Sequence, residues 1–200
     1  NPDTIVHPNA IENMINVLMS RENIGIVGPK LLEPTGDIQP SVRSLPTLPI
    51  FVLLFLKLHR VFSYATVWKK YVQANFNYNK QKSVDQVMGA AFLIRNTTLQ
   101  TVGLLDEGFW IWFEEVDYCK RVQDAGLEVL YIPNATITHY KGTSFNQLVG
   151  IKKTKPLLHS SLRYAKKHLG IGSYSILCIL YPVALVIALL ASGEHLMQKE

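Results

Sequence analysis

Read for its pattern of apolar and polar positions, the chain divides into short helical and extended stretches separated by Pro, Gly and Asn. Ile11, Met14, Ile15, Leu18 and Met19 keep helical spacing, which predicts a helix with one buried face. Asn9 followed by Glu12 has the form of a capping box at its start. Ile24 to Leu32 reads as a buried strand interrupted at Gly28-Pro29, and Gly36-Asp37 as a turn. Tyr71 to Ser83 is polar and reads as a loop. Val84 to Ile94 reads as a strand whose Gly89-Ala90-Ala91 has almost no side-chain bulk, so another group can come close to the backbone there. Close packing of a helix accounts for those small residues equally well. Asn96 is expected to cap a short helix that ends at Gly103, and a second helix ends at Gly126. Glu128 to Ile132 reads as a strand stopped by Pro133, Ala135 to His139 as another, and residues 141–144 as a polar exit. Strands alternating with helices predict an α/β fold.

Two segments break this pattern. Between residues 45 and 70, a continuous apolar run from Ile50 to Leu56 is followed by Lys57, His59, Arg60, Lys69 and Lys70. The run is too short to cross a bilayer, which takes roughly 20 apolar residues. It fits a helix lying in the membrane interface, and equally a core helix or a subunit contact. Residues 151–168 are basic, and 169–193 contain no charged residue. As a helix the latter would reach roughly 37 Å, enough for a transmembrane or membrane-inserted element, with Pro182 kinking it. Residues 194–200 form a tail. The basic flank places the folded part, residues 1–150, on the cytoplasmic face of the inner (cytoplasmic) membrane.

Charge sharpens the choice of partners. The net charge of +5 and a pI near 9.2 favour an anionic partner such as a phosphate, a nucleotide or an acidic lipid. No RNA- or DNA-binding motif accompanies the basic residues, so nucleic acid is not expected. Cys119 and Cys178 lie in unlike surroundings, which argues against a disulfide framework and for a reducing compartment. Asn1-Pro2-Asp3 reads as interior sequence, so a C-terminal fragment of a longer protein is expected.

The candidate chemistry centres on Gly108 to Arg121, where Glu114, Glu115 and Asp117 stand directly behind Phe109, Trp110, Trp112 and Phe113. A carboxylate held away from water has a raised pKa and becomes a better base. Asp106-Glu107 lies just upstream, and His139 ends the last strand.

Several stretches recur in order in one family: Asn-Pro-Asp-Thr at 1–4, Gly-Ala-Ala-Phe-Leu-Ile-Arg at 89–95 and Val-Gly-Leu-Leu-Asp-Glu-Gly-Phe at 102–109. They are followed by Phe-Glu-Glu-Val-Asp-Tyr-Cys-Lys-Arg at 113–121 and Ile-Pro-Asn-Ala-Thr-Ile-Thr-His at 132–139. Over roughly residues 1–145 the series resembles family 2 glycosyltransferases of the bacterial rhamnosyltransferase-like branch. The resemblance implies a partial GT-A fold and inverting transfer of a sugar, rhamnose among the candidates, from a nucleotide-sugar to a hydroxyl. The setting it suggests is a lipid-linked saccharide in cell-surface polysaccharide synthesis. It implies a divalent cation, Mg²⁺ or Mn²⁺, held by Asp3 and His139, with Asn1 giving a hydrogen bond in place of a second acid. It puts the catalytic site on Glu115 as base and on Asp117, which would support the helix start or Arg121. Gly89, Ala90, Asp106, Glu107 and Trp112 fall where donor or acceptor would be contacted. In that family the first half of the nucleotide-binding portion precedes these motifs, so this chain alone is expected to be inactive.

Two rival readings make different predictions. A membrane-anchored, non-catalytic interaction module would tolerate Glu115→Gln and His139→Ala. A glycoside hydrolase working through two carboxylates would need no metal.

Overall fold

The computed structural model describes residues 1–140 and 150–197, with side chains placed through residue 190. The polar exit at 141–144 and the tail beyond 197 lie outside the described residues. The chain forms two compact units. Unit 1 comprises residues 1–45, 72–106 and 114–143; unit 2 comprises 46–71, 107–113 and 144–200.

Unit 1 is mixed α/β. Its strands are β1 (Thr4–Val6), β2 (Ile24–Leu32), β3 (Ile38–Gln39), β4 (Val42–Arg43), β5 (Lys82–Ser83), β6 (Gln86–Val87), β7 (Leu93–Ile94) and β8 (Glu128–His139). Its helices are α1 (Ala10–Ser20), α4 (Asn96–Val102) and α5 (Glu114–Asp124); α2 (Leu48–Phe55) and α3 (Thr66–Tyr71) belong to unit 2. The main sheet runs β1-β8-β2-β3, with β5 added on β8 and β7 on β2. Among the described residues β2 and β8 pair in parallel and the other pairings are antiparallel, with β4 and β6 forming a separate ribbon.

The sheet is covered on both sides, which explains why β2 is buried almost throughout. Met14 and Leu18 of α1 pack with Val27, Leu31, Leu130 and Ile137. Ile26, Val87 and Val129 pack with Tyr118, Cys119 and Val122 of α5. Small residues set the approach on the second side. A Cβ on Gly25 would lie 2.8 Å from Val122 Cγ1, and one on Gly28 would lie 2.5 Å from Val87 Cγ1.

Several expectations need correcting. The buried stripe of α1 is Ala10, Met14 and Leu18, whereas Ile11, Ile15 and Met19 are exposed. Asn9 does precede the helix, but in the left-handed region (φ 62) and with no side-chain cap bond, so the capping box is not made. The stretch 84–94 is not one strand. β6 and β7 pair with different partners, and Gly89-Ala90-Ala91 forms the corner between them. Conversely, 128–139 is a single strand that Pro133 does not stop. β2 advances two residues from Gly28 to Lys30 while β8 advances five from Tyr131 to Thr136. That bulge takes Pro133, which has no N–H to offer, out of the ladder. Gly103 (φ 86) and Gly126 (φ 77) end α4 and α5 as expected, whereas Asn96 is the first residue of α4 rather than its cap, a place taken by Arg95.

Unit 2 is helical. Residues 45–70 are not one helix but α2, a 3-10 turn at Leu58–Arg60, and α3. Ile50, Phe51 and Phe55 of α2 are buried, and the rings of Phe51, Phe113 and Tyr164 pack in tilted pairs with centroids 5.4 to 5.9 Å apart. α6 (Ile151–His168) and α7 (Gly170–Met197) break at Gly170, where φ is 79. His159 lies 2.8 Å from the Tyr181 hydroxyl, and Lys166 Nζ sits 5.8 Å from the Tyr174 ring centre. Both pairs are centred on residue 170, so α6 and α7 form an antiparallel hairpin. The stretch Gly170–Leu190 of α7 is long and apolar enough to cross a membrane.

Candidate active site

Antiparallel pairing of β1 with β8 sets Thr4 opposite His139, and Tyr140 donates its N–H to the Asp3 carbonyl at 2.8 Å. This register carries the Asp3 carboxylate to 3.6 Å from His139 Nε2. Residues from β1 and β8, far apart in sequence, thus meet at one sheet edge. A depression of about 350 Å³ lined by Pro2, Asp3, Thr4, Ile5 and Tyr140 lies beside them. Asn1 accepts the Thr4 hydroxyl at its carbonyl, 2.7 Å away.

Gln39 orients the histidine. It is fully buried, its Nε2 donates to the His139 carbonyl at 3.4 Å, and its Oε1 faces His139 Nδ1 at 2.7 Å. Because an amide oxygen only accepts, Nδ1 carries the proton and Nε2 turns its other side to Asp3. Nε2 and the carboxylate therefore converge on a position that a cation, a proton or a metal ion, would satisfy. An imidazole nitrogen with a hard carboxylate oxygen fits a divalent ion whose remaining positions go to phosphate oxygens and water. Among the described residues no group of three or more such side chains is assembled, so Asp3 and His139 by themselves would not close the sphere. Gln39 gave no signal in the sequence, since a glutamine in a polar stretch looks like any other.

Glu115 stands in the first turn of α5. The neighbour it meets is Gly89: a Cβ there would lie 3.2 Å from Glu115 Cβ and 3.3 Å from Cγ. The group that the small corner admits is thus a carboxylic side chain of the protein itself. Glu115 Oε2 has no exposed surface and no hydrogen-bond partner among the described residues, and the same holds for Glu114 Oε2. Loss of water raises the Glu115 pKa to about 7, and the Glu114 charge adds to this, against the N–H groups of Glu115, Gly89 and Val116. Glu114 is also raised, mainly by burial. A helix N-terminus favours an anion by about 1 kcal/mol. A rise of this size corresponds to roughly 3 kcal/mol the other way, so desolvation wins.

Asp117 is differently employed. It has no exposed surface, and Arg121 Nε donates to its Oδ2 at 2.8 Å. Arg121 also donates to the carbonyls of Val102 and Leu104 at 2.8 and 2.9 Å. The pair fastens α5 to the segment after α4. Ala90 is buried in the α1-side core beside Met14. Arg95 joins the last turn of α1 to β2 by donating to the carbonyls of Leu18, Arg21 and Ile24, a role not visible in the sequence. Asp106 ends one stretch of unit 1, whereas Glu107 and Trp112 fall in unit 2. Trp112 and Phe113 both adopt left-handed φ, 57 and 70, which costs bulky residues of order 1 kcal/mol each.

A short path of contacts joins these two places in unit 1. Gln39 touches His139; two residues on, Ser41 accepts the Met88 N–H at 2.9 Å; the next residue, Gly89, touches Glu115. A histidine–carboxylate pair and a buried, half-ionised glutamate are thus linked through residues 39–41 and 88–89.

Comparison with known proteins bears on what this chemistry is for. Over 147 residues the chain is 26% identical to N-acetylglucosaminyl-diphospho-decaprenol L-rhamnosyltransferase of Mycobacterium tuberculosis, covering 72% of this chain and 46% of that protein. It is 22% identical over 140 residues to the low-salt glycan biosynthesis hexosyltransferase Agl10 of Haloferax volcanii, covering 64% and 37%. Against rhamnosyltransferase WbbL of Escherichia coli it is 27% identical over 100 residues, covering 50% and 34%. The chain is similar to glycosyltransferases of glycan synthesis. It spans about half the length, or less, of these curated relatives. No protein-family model matches it.

Proposed function

We propose that this chain carries the acceptor-activating part of an inverting glycosyltransferase, moving a sugar such as rhamnose from a nucleotide-sugar to a hydroxyl of a lipid-linked saccharide. The observation that carries the reading is Glu115, a carboxylate at about pKa 7 whose buried oxygen has no partner among the described residues. Such a group is half-ionised at neutral pH, and a general base is most effective when its pKa lies near the working pH.

In this mechanism Glu115 accepts the proton of the acceptor hydroxyl as that oxygen bonds to the anomeric carbon. The bond from that carbon to the donor diphosphate breaks on the opposite face, and the nucleoside diphosphate departs with the electron pair. A divalent cation, when bound, offsets the charge gained by the diphosphate. Asp3 and His139 would hold it, with Gln39 fixing the imidazole. Asp117 and Arg121 keep the first turn of α5 in place, and Gly89 leaves room for the Glu115 side chain. Membrane association, the cytoplasmic face and the lipid-linked acceptor rest on unit 2: α7 embeds in the bilayer, and its basic neighbour α6 stays on the cytoplasmic side.

The test is nucleoside-diphosphate release together with formation of glycosylated lipid by the full-length protein in membranes, over a panel of nucleotide-sugars with Mg²⁺ or Mn²⁺. Metal-dependent transfer from one donor that is lost in Glu115→Gln is the expected outcome. Undiminished transfer by that variant, or transfer that survives a chelator, would sink the mechanism.

A further inference from the structure

We infer that unit 2 docks on one leaflet of an anionic bilayer as a monotopic element, with α7 lying in the interface rather than crossing. This rests on the placement of α7 in the membrane proposed above and goes beyond it. Length and composition alone allow α7 to span; the hairpin opposes it. The His159–Tyr181 and Lys166–Tyr174 contacts hold α6 against α7 from its start to Tyr181, about 17 Å of helix. Over that length α6 carries Arg163, Lys166 and Lys167, all exposed, and ionised groups are strongly disfavoured in hydrocarbon. Beyond Tyr181 only residues 182–193 precede Glu194. They reach about 18 Å, against a hydrocarbon core of roughly 30 Å. With the hairpin intact, neither half of α7 can cross.

The helix is instead two-sided. Leu177, Ala184 and Ala188 are buried, while Ile179, Val183, Val186 and Leu190, spaced by three and four, are exposed on the opposite side. α2 packs against α7 and leads into a second apolar surface, where Val61, Phe62, Tyr64 and Val67 are 41 to 66% exposed. Lys57, Arg60, Lys69 and Lys70 flank that surface, and no acid occurs between Asp37 and Asp85. The three stretches of unit 2 hold eleven of the twenty Lys and Arg residues and three of the fifteen acids. Apolar side chains set among an excess of basic ones match an anionic lipid surface, whose headgroups attract lysine and arginine while the rings and methyls enter the acyl boundary.

The experiment adds full-length protein to sealed vesicles of phosphatidylcholine, with or without phosphatidylglycerol. A single environment-sensitive NBD label is placed at Leu190→Cys or Tyr64→Cys, in a background where Cys178 and any other exposed cysteine of the full-length protein are changed to Ser and Cys119 stays buried. The expected result is that external dithionite bleaches the label at 190 without permeabilisation. Both labels should also be quenched by shallow brominated lipids, and binding to anionic vesicles should fall about fivefold for each of Lys57, Arg60, Lys69 and Lys70 changed to Gln. A label at 190 protected until the vesicles are opened would overturn the monotopic placement while leaving a membrane anchor. Equal binding to neutral and anionic vesicles, or a water-exposed label at 64 in tightly bound protein, would overturn the docking surface. Protein that stays in the aqueous fraction would overturn the membrane placement of α7 as well.

Discussion

The two units of this chain divide the physics between them. Unit 1 has an acidic balance, twelve acids against nine Lys and Arg, and is built on a sheet. Unit 2 is helical and strongly basic, and it leaves large apolar side chains exposed. Each breaks a different rule of a well-made soluble domain. Unit 1 buries one carboxylate oxygen each of Glu114 and Glu115 with no hydrogen-bond partner among the described residues, and unit 2 exposes apolar surface without covering it. Both departures are destabilising unless something outside the chain completes them. The first suits a reacting hydroxyl and the second a bilayer, and this is why the units can be tested separately.

The largest expected effect falls on Glu115. Glu115→Gln in the full-length protein should lower turnover about a thousandfold while leaving vesicle binding untouched. The same variant should be more stable than the wild type at pH 8. The folded pKa, about 7, lies above the unfolded value of 4.5. Folding therefore favours the protonated form: the contribution is fully present below pH 4.5 and lost as pH rises through 7. An uncharged glutamine escapes that loss, so a gain of about 2 kcal/mol by thermal denaturation is expected at pH 8, shrinking towards pH 5. In the wild type kcat/KM should fall tenfold per pH unit below 7 and level off above it. A variant that lost both activity and stability would mark Glu115 as a packing residue.

Asp117 supplies the contrast within one turn of helix. Asp117→Ala would leave Arg121 partly buried without its charged partner, costing about 3 kcal/mol, seen as a fall of roughly 10 °C in melting temperature. Activity per folded molecule should change far less than in Glu115→Gln. These two acids, on either side of Val116, look alike in the sequence, and only their partners separate them.

That difference marks how far the sequence could be read. The strands at β2 and β8, the stops at Gly103 and Gly126 and the basic-then-apolar C-terminal stretch were legible, because apolar runs and glycines act locally. The join through Pro133 was not, since a bulge depends on the partner strand β2. Nor was the buried face of α1, where helical spacing fits Ile11, Ile15 and Met19 as well as the stripe actually used. In the site, Glu115 and the Asp3–His139 meeting could be named from a resemblance. Gln39, Arg95 and the nearness of Gly89 to Glu115 arise only from chain crossings.

Gln39 offers a smaller effect that sharpens the metal reading. Gln39→Ala should leave His139 on β8 but release the imidazole, and loss of a group that orients a ligand weakens metal affinity about tenfold or more. The Mn²⁺ concentration for half-maximal activity should rise accordingly, with full turnover restored at high Mn²⁺. Failure of excess metal to rescue the variant would show that Gln39 supports the strand rather than the ion.

The smallest effect compares two glycines of unit 1. At Gly28 a Cβ would meet Val87 Cγ1 at 2.5 Å, a contact between two packed layers with little freedom to shift. Gly28→Ala should therefore cost about 1–3 kcal/mol by overpacking and spare turnover. At Gly89 the neighbour is the Glu115 side chain at 3.2 to 3.5 Å, which can give by a few tenths of an ångström by turning its carboxylate. Gly89→Ala should hardly move the melting temperature, yet it should lower kcat severalfold, because displacing a base by even a fraction of an ångström impairs proton transfer. If Gly89→Ala lost stability and kept its kcat, the corner would be a packing device like Gly28, and the tie between it and the base would be broken.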